Sequence, residues 1–295
     1  MKHSSIPSSG IPSPQSNITP SSKLPVYQFC VIRSTDGGFF PYGTAWNLNT
    51  DTLPNVIMTA GHCMHESKWM REQKRQGAVF TYGILDTFGN TALCNPLYVT
   101  KPRFVNTFAF PPDFAILQAY QPYGRFKLKP IEFKPLPEAI VPEYSMFGIM
   151  KMLTSTVQST AIPVTTSGYA GNETRQVKGK KIPQPITSHG FIVGTRFSGK
   201  AYMGFANKEG AFAPGSSGGP VTLYGTDDAI GIFTSRNHTE IPKELTFQEG
   251  TDIPDDHRNL MVIQKPEPVL AKLRELAERQ DAGEDLTFTQ DFRLL

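Results

Sequence analysis

A hydroxyl, an imidazole and a carboxylate acting together can transfer an acyl group, and this chain holds each in a setting suited to that task. Ser217 lies in Gly215-Ser216-Ser217-Gly218-Gly219-Pro220, where the glycines let the backbone turn tightly around a serine and aim its amides at a substrate carbonyl. A serine hydroxyl is a poor nucleophile near neutral pH unless an imidazole accepts its proton. His62, in Thr59-Ala60-Gly61-His62-Cys63, follows the apolar run Val56-Ile57-Met58 and a small-residue turn that would lift its ring into a cleft. The imidazole in turn needs a carboxylate on its far nitrogen to fix the tautomer and stabilise the imidazolium. Asp113, between Pro111-Pro112 and the apolar run Phe114-Ala115-Ile116-Leu117, is placed to supply one. The Gly-X-Ser-Gly-Gly frame makes Ser217 the nucleophile and Ser216 the variable X, leaving the N–H groups of Gly215 and Ser217 to form an oxyanion hole.

Other roles for these residues fit less well. Gly215 to Gly219 also satisfies the Gly-X-Ser-X-Gly elbow of serine esterases. That elbow needs a helix directly after the serine, whereas Gly218-Gly219-Pro220 opposes one and Val221 to Tyr224 reads as a strand. Asp86 is the rival orienter, but no comparable strand follows it. His3, His65, His189, His238 and His257 lack the setting of His62 and read as surface or packing histidines. His62-Cys63-Met64-His65 lacks the second cysteine pair or the His-Glu-X-X-His frame of a metal site. The expectation is therefore no metal and no cofactor.

The elements that must position these groups are short strands. Residues 1–25 are Ser- and Pro-rich without apolar periodicity and read as a flexible, disordered tail. From Val26, short apolar or alternating runs separated by Gly, Pro and Asn predict strands at Val26–Ile32, Asn55–Met58, Ala78–Tyr82 and Phe114–Leu117. A Lys- and Pro-rich stretch, 127–143, reads as a linker. A second set of strands is predicted at Ser145–Ile149, Ile162–Thr166, Phe191–Thr195, Ala201–Phe205, Pro220–Tyr224, Ala229–Phe233 and Leu260–Gln264. Val269, Leu270, Leu273, Leu276 and Ala277 then share one face of a helix from Pro266 to Arg279. The economical architecture is all-β: two tandem six-stranded antiparallel barrels, residues 26–126 carrying His62 and Asp113 and residues 144–280 carrying Ser217 and the C-terminal α-helix, with a tail at 281–295. No internal repeat is visible in the sequence.

In these motifs and their order the chain resembles the trypsin-like, chymotrypsin-fold serine peptidases, and among them the glutamyl-endopeptidase-like and high-temperature-requirement-like groups more than the digestive enzymes. The resemblance implies a serine endopeptidase acting on protein or peptide substrates, with His62 as base, Asp113 as orienter, Ser217 as nucleophile and the Gly215 and Ser217 amides as oxyanion hole. Gly168-Tyr169-Ala170-Gly171-Asn172 is similar to the Gly-Tyr-Pro-Gly-Asp turn of the glutamyl endopeptidases, with Met146-Phe147-Gly148 a competitor for that place. The digestive enzymes carry Asp before the nucleophile where this chain has Ser216, and Gly43-Thr44-Ala45 stands where their cysteine would pair with Cys63. Where the family places its specificity pocket this chain has Ala211, Phe212 and Ala213, with Thr234, Ser235 and Arg236 as a candidate wall, implying a neutral or apolar pocket. The histidine with which glutamyl endopeptidases bind acidic side chains is matched by Phe233.

Composition bounds the rest. With 29 basic and 26 acidic residues the net charge is only +3, which gives no reason to expect a nucleic-acid partner. The basic runs Lys68–Arg75 and Lys178–Lys181 read as a solvated helix face and a loop. No apolar run is long enough to span a membrane. The first residues lack a secretory signal pattern, and three cysteines make no disulfide framework, so a reducing, cytoplasmic setting is the expectation. The competing function is a protease fold kept for binding, without turnover.

Overall fold

The computed structural model describes residues 24–101, 103–105, 108–122, 126–137, 162–169, 174–177, 180–196, 198–206, 215–240 and 259–286. Its first barrel consists of β1 (Val26–Arg33), β2 (Gly38–Leu48), β3 (Val56–Thr59), β4 (Phe80–Leu85), β5 (Thr91–Val99) and β6 (Ala115–Pro122). Its second consists of β7 (Ile162–Gly168), β8 (Ile186–Arg196), β9 (Ala201–Ala206), β10 (Pro220–Leu223), β11 (Ala229–Glu240) and β12 (Asn259–Gln264). Around the first barrel the strands run β1-β2-β3-β6-β5-β4 and return to β1. Around the second they run β7-β8-β9-β12-β11-β10 and return to β7. The cyclic order is the same in both, a structural repeat with no counterpart in the sequence. These two closed antiparallel six-stranded barrels are the chymotrypsin-like architecture that the sequence led us to expect.

Successive side chains of a strand point to opposite faces. In β3 every residue is buried: Ile57 points into the first barrel with Phe29, Ile84 and Leu117, while Val56 and Met58 face a cluster shared with Trp46, Phe114, Ile116 and Ile232. A strand covered on both faces reads as an unbroken apolar run, as Val56-Ile57-Met58 does. The second barrel is filled by Val164, Ile192, Tyr202, Val221, Phe233, Met261 and Ile263.

The cluster outside the first barrel joins it to Ile232 of β11 and to the C-terminal helix, α2 (Pro266–Asp281). Pro266 opens α2, where a missing N–H costs no helical bond, and Val269, Leu273, Leu276 and Ala277 are its buried stripe. The basic run Lys68–Arg75 forms α1, capped by Ser67, with Met70 as its only buried residue.

Two regions add to the sequence reading. Residues 130–131 pair in parallel with β2, and Ile131, Phe133 and Leu136 are buried, so the described part of the expected linker packs as part of the body. Residues 174–177 and 180–183 pair as antiparallel strands, which places Lys180 and Lys181 in a strand where a loop was expected. The expected N-terminal tail up to residue 23, the strand Ser145–Ile149 and residues 287–295 lie outside the described residues.

Candidate active site

His62 sits in a single 3₁₀ turn, Gly61–Met64, directly after β3. Gly61 is required there by close approach, since a Cβ would collide with Thr100 Oγ1 and stand 3.1 Å from Asp113 Oδ1. Asp113 enters from the residues before β6 and is fully buried, while the His62 imidazole retains 23 % exposure. One carboxylate oxygen, Oδ1, accepts the His62 backbone N–H at 2.8 Å. The other, Oδ2, lies 2.8 Å from His62 Nδ1. A carboxylate can only accept, so Nδ1 carries the proton and Nε2 is left as the basic nitrogen.

Thr100 fixes the segment that carries the carboxylate. Its hydroxyl accepts from Phe114 N–H and donates to Phe114 O, both at 2.9 Å, and its own N–H donates to the same carbonyl at 3.0 Å. Burial of the His62 ring favours the neutral form, but the adjacent Cys63 sulfur, the Asp113 charge and the hydrogen bond to it outweigh that. Together they hold His62 well above the ordinary value of 6.5.

Ser217 is held mainly through the backbone of its loop. Gly215 and Gly218 adopt φ of +97° and +94°, a region open to glycine and strained for other residues. The Gly219 N–H closes a turn onto Ser216 O at 2.9 Å, and Gly218 N–H donates to Phe233 O of β11 at 2.7 Å. From the first barrel, Thr44 N–H donates to Ser217 O at 2.8 Å, and Cys63 Sγ lies 3.7 Å from the same oxygen. A Cβ on Gly43 would stand 2.7 Å from both Cys63 Sγ and Ser217 O. The nucleophile candidate therefore rests against the residue that follows His62, with the seam between the barrels beneath it. Its own hydroxyl donates to Thr234 O at 3.1 Å.

Several expected roles change in detail. Ser216 is fully buried against Gly168, whose Cβ would stand 2.9 Å from Ser216 Cβ, whereas Ser217 is only partly buried, so the cleft side of the loop belongs to Ser217. Asp86 spends its carboxylate on Phe88 N, Asn90 N and Asn90 Nδ2 and caps the turn between β4 and β5. His189 meets Tyr224 edge-to-face and hydrogen-bonds Thr165 on the second barrel. Thr234 turns its side chain into the sheet, donating to Val262 O at 3.1 Å, and lends its carbonyl rather than its side chain to the Ser217 neighbourhood. Phe233 is buried in the second barrel. Ser235 follows on β11 and is partly buried. The backbone of Arg236 lies on the same strand, but its side chain, Ala211–Ala213, Ala170–Asn172 and Met146–Gly148 lie outside the described residues. Cys30, Cys63 and Cys94 are all free thiols.

Sequence reasoning missed Thr44 and Thr100 as site residues. Thr44 Oγ1 donates to Gly215 O at 3.0 Å and accepts the Tyr169 N–H at 2.9 Å, tying the nucleophile loop to β2. A threonine between glycine and alanine carries no periodic signal, and Thr100 is distinguishable from any other turn threonine only by its fold neighbours.

No protein-family model and no curated protein matches the chain. Among solved structures, a thermostable serine protease, AL20, from an extremophilic microorganism is similar over 89 % of this chain and 99 % of its own, at 13 % identity and a TM-score of 0.46. A serine endoprotease from Yersinia pestis is similar over 88 % of this chain and 65 % of its own, at 12 % identity and a TM-score of 0.43. The fold assignment rests on strand order and closure.

Proposed function

We propose that the chain is a serine endopeptidase in which Ser217 attacks a peptide carbonyl. His62 takes the hydroxyl proton through Nε2 and returns it to the departing amine, and water then releases the acyl group from Ser217. Asp113 holds the imidazole in the required tautomer and stabilises it when charged. The N–H groups of Gly215 and Ser217 are the oxyanion donors; among the described residues no acceptor takes either of them, and losing one donor is expected to cost about a hundredfold to a thousandfold in rate.

The observation that carries this reading is a fully buried carboxylate spending both oxygens on one histidine. Burying that charge is costly unless it is paired, and here the pairing orients the ring of the residue before Cys63, whose sulfur lies 3.7 Å from Ser217 O. In the resting arrangement the Ser217 hydroxyl proton is given to Thr234 O, so reaction requires that proton to be redirected to His62. That contact also gives the non-catalytic alternative its one structural support, since a hydroxyl kept on a carbonyl never reacts.

Incubation of the full chain with a peptide library, read by mass spectrometry beside a Ser217→Ala control, decides between them. The endopeptidase yields internal cleavages absent from the control, with neutral or apolar residues favoured at the cleavage position. A library left intact by both chains contradicts the reading, and preferred cleavage after basic residues contradicts the neutral pocket.

A further inference from the structure

Both Asp113 carboxylate oxygens accept from His62, so the pair is placed by how the Asp113 backbone is held. On one side Thr100 grips Phe114 from within the first barrel. On the other, the Asp113 N–H donates at 2.9 Å to Oε1 of Gln264, the last residue of β12 in the second barrel. Gln264 is fully buried. Its Nε2 donates to Lys200 O at 3.2 Å and to Lys265 O at 3.1 Å. Two carbonyls and one N–H surround the carboxamide, and only this orientation pairs every donor with an acceptor.

The same strands hold the nucleophile. β11 takes Gly218 N–H at Phe233 O and the Ser217 hydroxyl at Thr234 O. β11 is in turn registered on β12, with Ile232 opposite Gln264 and Phe233 opposite Ile263, and with Thr234 Oγ1 donating to Val262 O at 3.1 Å. The strand pair thus fixes Ser217 at one point and the backbone of Asp113 at another.

We infer that Gln264 is a positioning residue that registers Asp113, and through it the His62 ring, against the barrel carrying Ser217. It touches neither substrate nor the reacting atoms. Without its acceptor the Asp113 N–H is buried unpaired and the segment is free to shift, and a displacement of about 1 Å in such a constellation costs on the order of a hundredfold in rate. The consequence for rate rests on the endopeptidase reading; the consequence for His62 does not.

The test compares wild type with Gln264→Met, which keeps length and volume but loses all three hydrogen bonds, and with the milder Gln264→Asn, which withdraws the carboxamide by one methylene and carries the test if the first variant does not fold. Two readouts are taken on folded protein: the His62 titration by NMR, with the Nδ1 proton resonance, and the rate of fluorophosphonate labelling at Ser217. The expected result is a proton affinity of His62 lowered about tenfold as its bond to Asp113 loosens, a shifted Nδ1 proton, and labelling slowed about tenfold to a hundredfold. A folded variant whose His62 titration and Nδ1 resonance match wild type overturns the inference. Wild type that fails to label at Ser217 overturns the endopeptidase reading instead, while the His62 comparison still decides the role of Gln264.

Discussion

The two barrels share one cyclic strand order, yet they hold their functional groups by different means. In the first, His62 and Asp113 are fixed by side-chain hydrogen bonds in a buried corner, with Thr100 clamping the supporting backbone. In the second, Ser217 is fixed by backbone conformation, by the positive φ of Gly215 and Gly218 and by carbonyl and amide contacts along β11 and β2. The difference follows from what each group must do. An imidazole that gains and loses a proton needs a fixed tautomer and a nearby charge, which only side chains supply. A nucleophile flanked by oxyanion donors needs amides aimed in one direction, which only a particular backbone supplies. One topology serves both because a closed barrel leaves its strand ends and turns available for either device.

Substitutions separate the two devices. Asp113→Asn leaves the shape of the first-barrel corner but removes its charge and the reason for Nδ1 to carry the proton; the rate of peptide hydrolysis should fall about ten-thousandfold, measured as kcat/KM with the fold checked by circular dichroism. Gly218→Ala attacks the other device through geometry alone. Its Cβ would overlap Thr44 O and Thr59 Oγ1, and the left-handed φ adds roughly 1–2 kcal/mol of strain. Thermal melting should show a clear loss of Tm together with lost reactivity at Ser217, whereas an unchanged Tm would mean that the turn is not held as described.

Thr44→Val acts on the seam, leaving the buried Tyr169 N–H without its acceptor at a cost of about 1–3 kcal/mol. A chemical denaturation curve should register that loss, with a smaller effect on rate than either change above.

The gentlest probe is pH. In the proposed mechanism neutral His62 is the reactive form, and its folded value is raised well above 6.5, so the acid limb of kcat/KM should have its midpoint above 6.5. Stability runs the other way. A group whose folded value is raised stabilises the fold fully below its unfolded value, and that contribution fades as pH rises through the folded one. Replacing Asp113 by Asn should bring the His62 titration midpoint down; a midpoint indifferent to that change would uncouple the pair.

The three segments of the candidate site were legible in the sequence because glycine-rich turns and apolar strands leave local signatures. Strands β2 and β5 were not. β2 contains Gly38, Pro41 and Gly43, which read as turns although Pro41 falls where the register with β1 shifts. β5 contains Asn95 and Pro96 beside an irregularity in its pairing with β6, so the tertiary pairing overrides weak local preference. Gln264 was legible only as the polar end of a strand, since the Asp113 N–H that explains its burial lies on another barrel. The relation between the barrels was hidden as well, because strand order constrains which face is apolar rather than which residues appear.

The central claim is that the His62 imidazole activates the hydroxyl of Ser217. Intact-mass measurement after reaction with a fluorophosphonate, followed by peptide mapping, tests it most directly. One adduct is expected on wild type, located at Ser217 with fluoride lost, and none on Ser217→Ala or His62→Ala under the same conditions. Equal labelling of wild type and His62→Ala, or an adduct located elsewhere, would contradict it.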